Sequence, residues 1–187
     1  MIQLSVIYEK NLNGVDFGNA NLSKANLRWA GLSKANMRWA NLSGANLSGA
    51  NMSGANLSGA DLSGADLIGA DLGGADLSKA DMRWADLSGA DLSKADLRGA
   101  DLSKANLSEA NLSGADLDYA SFPLWCGSLD VKTDNRLPAQ LAYHFCRIEC
   151  DDPLVIAAQN NLLNLAKTFH RYEECGELKV KEIPKGD

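Results

Sequence analysis

Up to residue 122 the chain contains no proline, no cysteine and no histidine; all four prolines, all four cysteines and both histidines fall beyond it. Without proline, every backbone N–H over that length is free to join a hydrogen-bonded ladder. Without histidine, the many serines lack the usual base that makes a hydroxyl nucleophilic. No apolar run approaches the ~20 residues needed to span a bilayer. Neither G-x-x-x-x-G-K-[S/T] nor a strand-to-helix G-x-G-x-x-G is present to cradle phosphate. Four cysteines are too few for a disulfide-built scaffold. Met1-Ile2-Gln3-Leu4 lacks the basic region and cleavage signature of a secretory leader. Together these absences point to a reduced, cytoplasmic setting. A net charge of −6 disfavours direct nucleic-acid binding and leaves room for a basic partner.

In place of these features stands a five-residue repeat. An alanine recurs at every fifth position from Ala20 to Ala120, and two residues after each comes a large apolar residue, from Leu22 to Phe122. Between them sits Asn or Asp, with Gly31 and Ser121 as departures. On an α-helix, leucines five apart would step about 140° around the axis and form no stripe. The fifth-place glycines from Gly44 to Gly74 would each cost such a helix about 1 kcal/mol. A flat strand fails too, because its side chains alternate with period 2 and an odd repeat would flip the apolar pair each time. The pattern is satisfied when Ala and Leu point the same way on a short extended segment and the remaining residues turn a corner. The chain then winds into a tube lined by small and large side chains, with coils paired through the backbone at about 4.8 Å.

This A-[N/D]-L-x-x run, covering roughly residues 10–124, resembles the pentapeptide repeat family. The resemblance implies a mainly β fold: a right-handed quadrilateral β-helix with four repeats per coil. Residues twenty apart then stack, with Ala20, Ala40, Ala60 and Ala80 in one inner ladder and Leu22, Leu42, Leu62 and Met82 in another. The register runs back through Phe17, Leu12 and Ile7 to Ile2, giving 25 large apolar sites up to Phe122. That is about six coils and roughly 29 Å of tube. The β-helix is assigned to residues 1–124. Ser5 and Lys10 stand where alanine should, which predicts an irregular first coil over residues 1–19.

The outward positions carry Lys, Arg and Trp in two clusters, residues 20–40 and 76–110, separated by Ser-Gly and Asn-Gly corners in which Ile68 is the one bulky exception. Stacking at twenty places Trp84 beside Lys104, a cation–π contact worth about 0.5–1 kcal/mol when exposed. The residue before each central apolar is Asn from Asn36 to Asn56, Asp from Asp61 to Asp101, then Asn106 and Asn111. Stacked Asn amides can donate and accept along a ladder; stacked carboxylates cannot. Asp61, Asp81 and Asp101 stack, as do Asp76, Asp96 and Asp116, and neighbours repel by about 0.9 kcal/mol even in water. Such a surface either guards against strand-on-strand association or is an anionic interface. The candidate interaction surface is Asp61, Asp66, Asp76, Asp81, Asp86, Asp96 and Asp101, with Trp29, Trp39 and Trp84. Residues 10–124 hold 10 Lys or Arg against 13 Asp or Glu, so the tube as a whole is only mildly acidic.

The repeat stops at Phe122-Pro123-Leu124-Trp125, because Pro123 cannot donate to a continuing ladder. Residues 125–187 read as a C-terminal helical cap and dimerisation module with a charged tail. Asp134 or Asn135 caps a first helix with Pro138 in its first turn. Asp152-Pro153 starts a second, with an apolar stripe of Leu154, Ala158, Leu162, Leu165, Phe169 and Tyr172, stopped by Gly176. A solenoid end needs a cap with a polar outside. Tyr143, Cys146, Ile156 and Leu163 lie off the stripes, and this surplus predicts a homodimer through the C-terminal helices. Cys126, His144, Cys146, Cys150, His170 and Cys175 lack zinc-ligand spacing, so the cysteines read as core residues, and no metal or cofactor is expected. With a filled interior there is no ligand cavity, and no catalytic residue or small-molecule substrate is assigned. The expected role is a non-enzymatic solenoid for structure or protein interaction with an unidentified protein partner, without contact to nucleic acid or membrane. The resemblance also implies an alternative, a DNA-mimicking modulator of a type II topoisomerase (gyrase).

Overall fold

The computed structural model describes residues 10–121 and 153–167. The chain divides into two compact units, Met1–Lys132 and Thr133–Asp187. In the first, every parallel bridge joins residues twenty apart, from Asn11 with Gly31 to Asp101 with Ser121. Four repeats therefore make one coil, with one bridge per side. The result is a right-handed quadrilateral β-helix of about five and a half coils over residues 11–121.

One repeat, Asn41 to Ala45, shows how the backbone is satisfied. The Leu42 N–H donates to Asp61 O at 2.7 Å and the Gly44 N–H to Ser63 O at 2.9 Å, both in the following coil. The Asn41 N–H donates to Ala20 O at 2.9 Å in the preceding coil. The Ala45 N–H closes the corner onto Leu42 O at 2.9 Å. The Ser43 N–H turns to Asn41 Oδ1 at 3.0 Å. All five N–H groups thus have partners, as a half-buried backbone requires.

The corner Leu42-Ser43-Gly44-Ala45 has φ of +62° at its third residue, the mark of a type II turn. The same positive φ recurs every five residues from Gly14 to Tyr119, at eleven glycines and eleven other residues. Glycine is the strain-free choice there. Lys, Trp, Glu, Asn or Tyr at such a corner accepts a cost of about 1–2 kcal/mol.

Inside the tube, every Ala from Ala25 to Ala115 and every Leu or Met from Leu22 to Leu117 is buried. The paired small and large side chains leave a filled interior, each Leu contributing about 1.5–3 kcal/mol on burial. Of the first coil, expected to be irregular, only the second half is described, and its Leu12 and Phe17 are half-buried where the later coils bury Leu or Met. Residues 1–9 lie outside the described residues, but from residue 10 onward the chain has standard bridges and standard corner bonds, including Val15 N to Leu12 O at 3.1 Å. Lys10 and Val15 do not disturb the winding because both are exposed at the alanine position.

In the second unit one helix is described, α1, Pro153–Ala166. It starts with proline at its first position, where the missing N–H costs nothing. Among its described side chains Ile156, Gln159 and Leu163 are buried, while Leu162 is 36% exposed. Of the expected stripe, Ala158 and Leu162 are not buried, and the burial of Leu154, Leu165, Phe169 and Tyr172 lies outside the described residues. Lys167 follows in a turn, so α1 ends well short of Gly176. The first expected helix lies outside the described residues.

Candidate interaction surface

The Asn or Asp of each repeat is built into the corner. Its Oδ1 accepts the N–H of the residue two further on, as in Ser48 to Asn46 at 3.1 Å, Ser63 to Asp61 at 2.9 Å and Ser88 to Asp86 at 3.0 Å. Where that residue is Ser, its hydroxyl often adds a second bond, at 2.6 Å to Asp61 and Asp76. This is the side-chain mimic of a turn that Asn and Asp favour. An amide and a carboxylate offer the same acceptor atom, which is why the two types interchange along the tube. The amide ladder that stacked asparagines could form is not the arrangement they adopt. Side-chain bonds along the stack run from Asn36, Asn106 and Asn111 to Asp16, Asp86 and Asp91, and from the Ser33 N–H to Asn13.

The seven candidate aspartates, Asp61, Asp66, Asp76, Asp81, Asp86, Asp96 and Asp101, all lie half-exposed at this register. Asp61, Asp81 and Asp101 stack through successive bridges, as do Asp76, Asp96 and Asp116. Two of the carboxylates are neutralised locally. Arg83 donates to Asp81 and Arg98 to Asp96, each with a 2.6 Å contact from its Nη2. Arg83 also lies 3.9 Å from Asp101 Oδ2, bridging two steps of one ladder.

Hydrogen bonds from the Arg83 guanidinium hold the Asp81 carboxyl below its usual value of 3.8. Those from Arg98 do the same at Asp96. A carboxyl depressed in the folded state stabilises fully above its unfolded value and loses that contribution as pH falls through the folded one. Arg83→Gln is therefore expected to lower the urea midpoint slightly near pH 6 and to lose that deficit at acid pH, once the carboxyl is protonated in the folded as well as the unfolded state. The pair is half-exposed, so the difference is small. An equal deficit at both pH values would rule out the ion pair as its cause.

Trp29, Trp39 and Trp84 occupy corner positions with φ near +60° and are exposed. The indoles of Trp29 and Trp39 lie on Gly49 and Gly59 of the following coil. Trp84 instead meets Lys104, whose Nζ lies 4.2 Å from the ring centroid, the stacking expected from the sequence. Arg28 and Arg38 stack on their own neighbours Trp29 and Trp39 at 5.7 and 5.9 Å. Sequence reasoning missed these contacts because adjacent residues converge only at a tight corner. Shallow grooves of about 350 Å³ flank Trp39, lined with Asn56, Asp76 and Lys79, and Trp84, lined with Asp86 and Asn106.

Coil by coil, the charge separates. Residues 10–60 carry Lys10, Lys24, Arg28, Lys34 and Arg38 against Asp16 alone, a net of +4. Residues 61–121 carry five Lys or Arg against twelve Asp or Glu, a net of −7. The average over the tube conceals an acidic half next to a basic one. The remaining candidates divide. Ile156 and Leu163 are buried in the single chain; Tyr143, Cys146 and the other cysteines and histidines lie outside the described residues. Among the described residues, no group of three or more His, Cys, Asp or Glu is placed to hold a metal ion, and no helix is long and apolar enough to cross a membrane.

A four-sided β-solenoid with Ala and Leu or Met inside and a five-residue turn repeat outside defines a β-helical repeat protein. The sequence matches pentapeptide repeats, eight copies, over residues 11–49, 45–83 and 80–118. The chain belongs to the pentapeptide repeat family. No curated protein sequence matches it. Among solved structures it is similar to Rfr23, a pentapeptide repeat protein from the cyanobacterium Cyanothece 51142: 29% identity over 68% of this chain and 86% of that one, TM-score 0.45. It is also similar to a pentapeptide repeat protein from Nostoc PCC 7120, with 36% identity over 64% and 84% and a TM-score of 0.40. Full-length QnrB1, a plasmid-mediated fluoroquinolone resistance protein, matches at 17% identity over 75% and 96%, TM-score 0.27.

Proposed function

We propose that the chain is a non-enzymatic, protein-binding solenoid whose acidic half docks a cation-rich protein. The carboxylate ladder carries this reading. From Asp61 to Asp101 each side of the tube repeats Asp at one register, one coil apart. The corner bonds already fix each Oδ1. Side chains immobilised in advance lose little freedom when they pair with Lys or Arg, so more of the interaction appears as affinity. The filled interior supports recognition by the outer surface in preference to a pocket.

Asparagine supplies the test, because it keeps the Oδ1 acceptor and removes the charge. Asn46 and Asn106 already do so on the side that holds Asp66 and Asp86. The Asp66→Asn/Asp86→Asn variant is expected to melt like wild type, within about 0.5 kcal/mol. Its affinity for a lysine-rich probe peptide at low salt, measured by calorimetry, is expected to fall about tenfold. Undiminished affinity in a folded variant would sink the proposal.

The same ladder favours a second reading, a DNA-mimicking modulator of a type II topoisomerase. The basic half and the paired Arg83 and Arg98 weaken it. Absence of gyrase inhibition and of quinolone protection at micromolar protein would end it.

A further inference from the structure

One edge of the tube is self-complementary. Backbone bonds from Trp29 N to Ser48 O, Gly49 N to Ile68 O, Gly69 N to Ser88 O and Gly89 N to Ser108 O stack its corners in a single column. Arg28 lies two coils before Ile68, and Glu109 lies at the level two coils after it. Ile68 is 46% exposed. Arg28 and Glu109 are exposed, and neither enters the ion pairs formed among the described residues. A Cβ placed on Gly69 or Gly89 would meet nothing within 4 Å, so a second surface can approach the backbone there.

We propose that this edge docks a second, antiparallel copy of the chain about a two-fold axis at Ile68. Each Ile68 then packs on its symmetry mate, and Arg28 of each copy faces Glu109 of the other. Opposite charges at matched distances from one apolar residue are the pattern that an isologous contact needs, and such a contact closes at two copies. A uniformly acidic or basic partner would satisfy only one end. The contact is a narrow edge, so the dimer is weak and salt-sensitive. It uses corner residues and leaves the Asp ladders aside, so it stands or falls apart from the docking of a cationic partner.

Sedimentation of the full chain tests it at low ionic strength and again near 1 M salt, where screening shortens to about 3 Å. The wild type is expected to dimerise with rising concentration, less so at high salt. Arg28→Glu and Glu109→Arg are each expected to weaken the dimer about tenfold or more. The Arg28→Glu/Glu109→Arg double variant is expected to restore it, since both pairs re-form with reversed sign. Ile68→Lys, which sets two like charges on the axis, is expected to abolish it while circular dichroism stays unchanged. A wild type that remains monomeric at low salt would overturn the proposal. So would a dimer indifferent to the single reversals, as one held by the C-terminal unit would be, or a double variant that fails to recover.

Discussion

Leu87→Asp is expected to leave no cooperatively folded tube, whereas Asp86→Leu, one residue earlier, is expected to fold. Leu87 is fully buried, and the interior residues around it in the sequence are Ala, Leu and Met, none of which can pair with a charge. The substitution forfeits about 1.5–3 kcal/mol of apolar burial. It then adds an effective penalty of several kcal/mol for an unpaired carboxylate away from water. That sum is of the order of a whole domain's stability, about 5–15 kcal/mol. Each coil contacts only its neighbours, so a defect in the middle uncouples the two ends. At position 86 the loss is the acceptor for the Ser88 N–H and for the Asn106 amide, each worth about 0.5–1.5 kcal/mol, plus an exposed leucine. Thermal melts followed by circular dichroism, with soluble yield, read the contrast directly. Two variants that melt alike would mean that inside and outside had been assigned wrongly.

That contrast rests on the part of the architecture the sequence states most loudly. A period of five with Ala and Leu two apart admits few solutions and sets inside from outside; the ladders and the Trp84–Lys104 contact follow once the family resemblance supplies four repeats per coil. The role of Asn and Asp was harder to read. Their position suggested a ladder along the stack, yet the stronger competitor was the local N–H at Ser43 or Ser63, left without a partner by the type II corner. Nor does a linear sequence announce that a corner Trp will lie on the glycine twenty residues later, since that depends on the side-chain direction at a positive φ. The division into a basic and an acidic half was present in the residues but appears only once they are sorted by coil. Helix α1 marks the opposite limit. Leu162 and Leu163 are equally apolar, and tertiary packing alone decides that Leu163 is buried and Leu162 exposed.

The corner glycines provide the second large effect. Gly59→Val is expected to cost about 2–4 kcal/mol, from the left-handed backbone together with overpacking. Gly64→Ala is expected to cost only the backbone strain, about 1–2 kcal/mol. Both residues have φ near +64°, so conformation alone does not separate them. The difference is the roof. At Gly64 a Cβ meets nothing within 4 Å, whereas at Gly59 it runs into Cζ3 and Cε3 of Trp39. A β-branched residue is also the worst fit to a left-handed corner, whereas the Lys, Glu and Trp found at other corners are unbranched at Cβ. The collision can be isolated by removing the indole. In a Trp39→Ala background, Gly59→Val is expected to recover the overpacking part, about 1–2 kcal/mol of coupling between residues in contact. Chemical denaturation of the four proteins in that cycle measures it. Strict additivity would show that the indole moves aside freely and that Gly59 is glycine for its backbone alone.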